Sequence, residues 1–516
     1  MPRSLFAAAS FLSLAAYILP ATTPAAELAP APRFAPAALD RAILAEIKDR
    51  SEVMKNLQYM SDVIGGRLTG SKNLERANNW TADKMKAYGL ENVRLEPWEI
   101  PVGWERGKAT MKLLEPNNGR ELLIAAFGWT PGTKGKEIGD VVVLTVRTKA
   151  ELEKYKGKLK HATVLLNPPK EVKSVSDLTY PAPPGPNVAP AKKDEPKKVE
   201  PKPNPEKKGD ASLIRSEAFQ PGFEAVTEFL KAEGAACVVI DAGKPHGLLV
   251  TTGSWPSDRA VAEARLPRVF MAHEHYALLH RLASRPDEVT KVEVEIENKF
   301  IAGPITVYNT VGEVVGSEKP DEFVLIGAHL DSWELASGTT DNATGSCVVL
   351  EVARTVAALA KAGQRPKRTI RFVLFTGEEQ GLHGSKKYVE RHRDEMDRHS
   401  AALVHDTGTG KVYGLGLHGR QSVLDLLAPQ LSSLSGVEGW KGLDMRGTGG
   451  TDHLSFHAAG VPGFACLQDI DEYRLTHHTQ SDTFDKAKEP NLVQGAQVLS
   501  VAVTRIANLP DLLPRK

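Results

Sequence analysis

The sequence predicts an α/β protein: a mainly parallel mixed sheet flanked by helices, with a β-rich domain inserted. Three observations lead there. Residues 305–510 alternate short apolar runs with helical stretches. The runs at 323–328 and 369–375 are continuously apolar, as strands buried on both faces are. Residues from about 110 to 300 instead carry short β-type runs separated by turn residues.

The first residues read as an export signal. Arg3 gives a positive start, residues 5–19 form a short apolar stretch, and Ala25 and Ala26 offer small residues for cleavage. A cleaved signal over 1–26 makes the mature chain secreted or periplasmic, with no membrane contact afterwards. The alternative is an uncleaved anchor, but the stretch falls short of the ~20 apolar residues a span needs.

Residues 41–110 form the first part of the main domain. Asp40 is a candidate cap for a helix carrying Ile43, Leu44, Ile47 and Met54 at helical spacing. A second helix runs from near Asn73 to Gly89, and a strand follows at 92–100. Residues 111–300 are the β-rich insert, with strand-like runs at 122–127, 140–144, 162–166 and 236–240, the last after a helical stretch at 222–232. Within it, 181–210 holds nine prolines and seven lysines. That composition buries too little apolar area to fold, so the segment reads as a disordered loop. Residues 301–516 complete the sheet: strand 323–328, helix 347–362 stopped by Gly363, strand 369–375, helix 384–392 and strand 401–404. No internal repeat is present.

Composition narrows the function. Basic and acidic residues number 65 and 64, a net charge of +1, which argues against nucleic acid or an anionic membrane as partner. Cys237, Cys347 and Cys466 lie scattered in apolar contexts without a Cys-x-x-Cys pair, so they read as buried free thiols rather than a disulfide frame or a thiolate zinc site.

Sites in such sheets form at the carboxyl ends of strands. Here one strand runs into His329 and Asp331, the next into Glu378 and Glu379, and the third into His405 and Asp406. Asp341 and Asn342 follow a Gly-Thr-Thr turn, and His477 and His478 precede Asp482. Any one of these is ordinary: a solvated pair, a capped turn. Together they gather imidazoles and carboxylates in one crevice, where mutual repulsion calls for a cation. These donor types suit zinc, and a carboxylate such as Asp341 can be shared by two ions.

At these residues the chain resembles the di-zinc aminopeptidase family. The matching stretches are AHLDSW at 328–333, GTTDNATG at 338–345, TGEEQGLHGS at 376–385, HDTGTG at 405–410 and HHTQSDT at 477–483. RPKRT at 365–369 resembles the carboxypeptidase Q branch in particular. The resemblance covers roughly 40–110 and 300–510, which implies a peptidase domain split by the insert. That insert is similar in position to a protease-associated domain. The resemblance implies a zinc-dependent exopeptidase acting on free N-termini or dipeptides through water held between two divalent metal ions. One ion would take His329 and Asp406, the other Glu379 and His478, with Asp341 bridging. Glu378 would be the general base, and Asp331 would hold the His329 ring. A cis peptide at Asp341–Asn342 is also implied. The substrate would be a peptide or dipeptide, and the branch admits a homodimer.

One departure stands out. Many relatives carry a tyrosine just before the last histidine ligand, as an oxyanion helper; this chain has His477 there. His477 is either the oxyanion donor or an alternative ligand. Asp452, in the Gly-rich loop 449–453, is either a turn cap or a group supporting the pocket. His273, Glu274, His275 and His280 do not make a His-Glu-x-x-His motif and read as packing residues. Asn342–Thr344 is a formal glycosylation acceptor beside the proposed bridge. Two other functions fit less well. A single-zinc glutaminyl cyclase-like acyltransferase would need one metal, and an inactive receptor scaffold would have lost ligands that this chain keeps.

Overall fold

The structure, a computed structural model, describes residues 34–116, 119–146, 148–172, 223–470 and 472–515. The expected signal segment (1–26) and the Pro/Lys loop (181–210) fall outside the described residues.

Two eight-stranded sheets organise the chain. Four parallel strands centre the larger one, in the order Arg368–Phe375, Lys319–His329, His399–Val404 and Gly463–Gln468. Parallel neighbours need long crossovers, and helices Thr344–Lys361 and His383–Arg391 supply two of them. Lys299–Val314 and then Glu91–Glu105 add antiparallel on one side. Val412–Gly416 adds antiparallel on the other and carries Gly442–Asp444 beyond it. This is the mainly parallel mixed sheet that the sequence predicts.

The continuous apolar runs are continuous because both faces are covered. All eight residues of Arg368–Phe375 are buried. Val324, Ile326 and Ala328 pack into the core formed with helices Thr344–Lys361 and Glu489–Ala507. Leu325, Val373 and Phe375 face a second core holding Tyr388 and Phe456. Each Val, Leu, Ile or Phe among them contributes about 1.5–3 kcal/mol by leaving water. The segment Thr339–Lys361 is long and apolar enough for a membrane span, yet 78% of its apolar window is buried within the fold.

The second sheet runs Arg120–Leu122, Ala109–Glu115, Lys291–Ile296, Glu137–Val143, Thr163–Leu165, Cys237–Asp241, Arg268–Met271, Ile124–Ala126. The chain leaves the larger sheet along Glu91–Glu105 and returns along its antiparallel partner Lys299–Val314. All three cysteines are free and buried.

Three local expectations are corrected. The first helix is Pro36–Arg50, so Asp40 lies inside it rather than capping it. Pro36, in the first turn, starts the helix earlier. Asp40 is buried and accepts hydrogen bonds from Arg505 Nε (3.0 Å) and Ser433 Oγ (2.6 Å), tying the first helix to the last. Met54 belongs to the next helix, Val53–Gln58. The 122–127 run breaks at exposed Leu123, whose N–H leaves the ladder for His275 Nδ1 (2.9 Å), and its halves join opposite edges of the second sheet.

Candidate active site

The predicted strand ends converge. His329 pairs across to Phe375, and Gly327 to Val404, so the three central strands end within two residues of one another. Their following residues, Asp331, Glu378, Glu379 and Asp406, therefore share one crevice. Asp341 enters from the turn Thr339–Ala343. Asp482 fixes that turn by accepting the N–H of Thr340 (2.6 Å) and of Asp341 (3.1 Å). The Asp341–Asn342 peptide is cis. Asn342 is fully buried, donating to the His405 carbonyl and accepting from Gly345 N–H, both at 2.9 Å, which closes it to glycosylation.

Two clusters meet at Asp341. His329 Nε2 lies 2.9 Å from Asp406 Oδ1 and 3.2 Å from Asp341 Oδ1. His478 Nε2 lies 2.8 Å from Glu379 Oε2 and 3.5 Å from Asp341 Oδ2. Asp341 thus turns one oxygen to each cluster. His477 stacks on His478 with ring centroids 3.7 Å apart, and its Nε2 stands 3.8 Å from Asp341 Oδ2. Its side chain is 43% exposed against 23% for His478, so His478 is the deeper of the two.

The residues fit divalent metal. Asp341 Oδ2 and Glu379 Oε1 are buried and make no hydrogen bond, although a buried carboxylate oxygen normally has a donor. Burial drives the carboxyls of Glu378, Glu379 and Asp406 upward, and their mutual repulsion adds to it. Burial opposes charge on His329, yet Asp406, Asp331 and Asp341 raise it well above the ordinary range. A cation held by these imidazole and carboxylate donors relieves that repulsion, and the donor set is one that zinc takes.

Comparison with known proteins agrees. Residues 309–503, which contain all eight predicted site residues, match peptidase family M28. The chain is 29% identical to carboxypeptidase Q of Bos taurus over 91% of its own length and 88% of that protein. It is 29% identical to carboxypeptidase Q of Homo sapiens over 95% and 92%. Among solved structures, an M28 peptidase precursor from Shewanella amazonensis superposes with a TM-score of 0.72 at 24% identity, covering 93% of this chain and 98% of that one. An aminopeptidase from Aneurinibacillus sp. strain AM-1 gives 0.58 at 22%, covering 92% and 98%. A zinc aminopeptidase from Bacillus subtilis gives 0.57 at 18%, covering 88% and 93%. At these identities the likeness is one of fold.

The site differs from expectation at Asp331. Its main-chain carbonyl, not its carboxylate, contacts His329 Nδ1 at 2.9 Å; the nearest carboxylate oxygen is 3.7 Å away. The carboxylate is committed elsewhere. It accepts from Thr69 Oγ1 (3.0 Å) and from the N–H groups of Glu378 (3.3 Å) and Glu379 (3.4 Å). Asp331 therefore sets the Glu378–Glu379 loop.

Other residues around the crevice are not legible in the sequence. Arg67 is wholly buried beneath the crevice loops and donates to the carbonyls of Leu330 (2.7 Å), Gly65 (3.0 Å), Ser337 (2.8 Å) and Gly338 (2.7 Å). In the sequence it is only an arginine between Gly66 and Leu68. His405 turns away from the crevice into the core, where burial pushes it down to about 4. Asp452 makes no capping bond to the helix it precedes; it is fully buried, and burial pushes its carboxyl up to about 7. In the second sheet, His273 pairs with Asp241 (3.0 Å), and Glu274 accepts the N–H groups of His246 (2.8 Å) and Gly247 (3.1 Å).

Proposed function

We propose that this chain is a zinc-dependent exopeptidase that hydrolyses peptide bonds at free N-termini or in dipeptides. The observation that carries the reading is Asp341, with one oxygen toward each of two ligand clusters. In this reading His329 and Asp406 would hold one metal and Glu379 and His478 the other, with Asp341 shared between the two clusters. Two such ions supply Lewis acidity and water acidified enough to be nucleophilic near neutral pH.

The chain's own groups do the rest. Glu378 stands beside the ligand Glu379 on a loop whose N–H groups Asp331 fixes. It takes the proton from the attacking water and returns it to the leaving amine. His477, partly exposed above Asp341, donates to the carbonyl oxygen as charge develops there. The acidic excess around Asp341 attracts a substrate's free ammonium, which confines cleavage to chain ends. The names of the relatives, carboxypeptidase and aminopeptidase, support an exopeptidase.

The organisation is part of the same proposal. Residues 41–110 and 301–516 make the peptidase domain, and 111–300 a protease-associated-type insert reached and left through one ribbon. The chain is exported, and a homodimer is compatible with the branch.

The test is hydrolysis by zinc-loaded protein of free and N-acetylated peptides, beside Glu378→Gln. Cleavage should require the free amino group. Glu378→Gln should keep its metal and lose roughly 10²–10⁴-fold in turnover. Unchanged turnover in that variant would remove Glu378 as the base.

A further inference from the structure

Five of the chain's seven tryptophans gather beside the metal crevice. Trp98 and Trp104 come from strand Glu91–Glu105, and Trp333 follows Asp331. Trp129 and Trp255 come from the second sheet's part of the chain. Ring centroids run Trp104–Trp129 at 6.0 Å, Trp129–Trp333 at 6.3 Å, Trp129–Trp255 at 5.5 Å and Trp98–Trp255 at 6.2 Å. The set touches the site at both ends. Trp333 meets the His478 ring edge-on at 6.1 Å. His383 lies 4.6 Å from Trp255 and packs against Gly377, next to Glu378.

The segment carrying Trp255 is strapped across this wall. Val250 pairs antiparallel with Thr479, and Thr251 N–H donates to the His478 carbonyl at 3.0 Å. Leu249 N–H donates to Gln480 Oε1 at 2.8 Å, and the Lys244 ammonium holds the Arg474 carbonyl. At the far end Arg265 Nη1 donates to the carbonyls of Ser254 (3.0 Å) and Trp129 (3.2 Å). The strap thus runs from the last metal histidines to the loop of Glu378. Trp98, Trp129 and Trp333 are buried under it, at 8%, 0% and 4% exposure, while Trp255 and His383 keep part of their surface open. The indole N–H of Trp333 is buried and has no acceptor among the described residues.

We propose that Trp255 and His383 form the wall on which a substrate side chain flanking the scissile bond packs, and that Trp255 sets a preference for aromatic and bulky apolar side chains. This rests on the exopeptidase reading. An open indole face gains contact only with a side chain large enough to cover it. Apolar pockets of this kind discriminate by about 10–200-fold.

The experiment compares kcat/KM for Phe-Ala, Ala-Phe and Ala-Ala on zinc-loaded full-length protein, wild type against Trp255→Ala and Trp255→Phe. The ratio of one Phe substrate to Ala-Ala should fall about tenfold or more in Trp255→Ala and be largely restored in Trp255→Phe, with metal content unchanged. His383→Ala, a partly exposed position, should move the same ratio in the same direction and serves if Trp255→Ala does not fold. Equal losses on all three substrates, or no change in the ratio, would overturn the assignment of Trp255. Hydrolysis of none of them by wild type would instead overturn the exopeptidase reading beneath it.

Discussion

Asp341 is oriented from behind: Asp482 takes its N–H and that of Thr340, leaving both carboxylate oxygens free to face the two clusters. The neighbouring histidines divide by depth. His478 reaches Glu379 at 2.8 Å, whereas His477 stands off Asp341 at 3.8 Å with nearly half its side chain exposed. His478→Ala should therefore lose one metal of two. His477→Ala should keep both and lose about 10²–10³-fold in turnover, as removal of an oxyanion donor does. Metal analysis of the two variants decides; the reverse pattern would make His477 the ligand. Asp331 is a case where residue type was legible and role was not. The motif marks the position, but only the fold shows that Thr69 and the Glu378–Glu379 N–H groups occupy its carboxylate.

Among the elements, the antiparallel flank is clamped to the helical face by charge. Glu96 on strand Glu91–Glu105 meets His392 Nε2 at 3.0 Å, just past helix His383–Arg391. His392 Nδ1 meets Glu395 at 3.2 Å, and Glu395 meets Arg371 at 2.6 Å. Burial opposes charge on His392, but its bonds to Glu395 and Glu96 raise its pKa. A raised folded pKa stabilises fully below the unfolded value near 6.5 and fades as pH climbs through the folded one. The stability lost in His392→Gln should accordingly be larger near pH 6 than near pH 9, read from denaturant midpoints. An equal loss at both would mean the imidazole acts by packing alone. Element types came through from periodicity and continuous apolar runs, because burial on one face or two writes itself into residue spacing. Element ends did not. Asp40 looks like a cap, but its partner is Arg505 at the other end of the chain, a contact no local pattern can carry.

For the molecule as a whole, a bound metal and the fold would stabilise one another. Asp331, Asp341, Glu378, Glu379 and Asp406 crowd one buried crevice, joined beneath by Arg67 and roofed by the strap from the second sheet. Chelation should lower the melting temperature and zinc should restore it; a ligand of the folded state alone adds about 2.7 kcal/mol at a hundredfold excess over Kd. Most of this plan was readable from sequence, since strand ends and donor types sit within short motifs. The union of the two sheets was not. Trp255 lies more than a hundred residues along the chain from Trp98, Trp129 and His383, and Val250 more than two hundred from Thr479, and nothing in their own segment marks them.

The central claim is a two-metal exopeptidase centred on Asp341, and the most direct measurement is metal content per chain of purified protein, taken together with peptide hydrolysis. The account predicts two divalent ions per chain and cleavage that follows the second ion as it is titrated in. One ion or none under every metal supply, with no peptide hydrolysed, would contradict it.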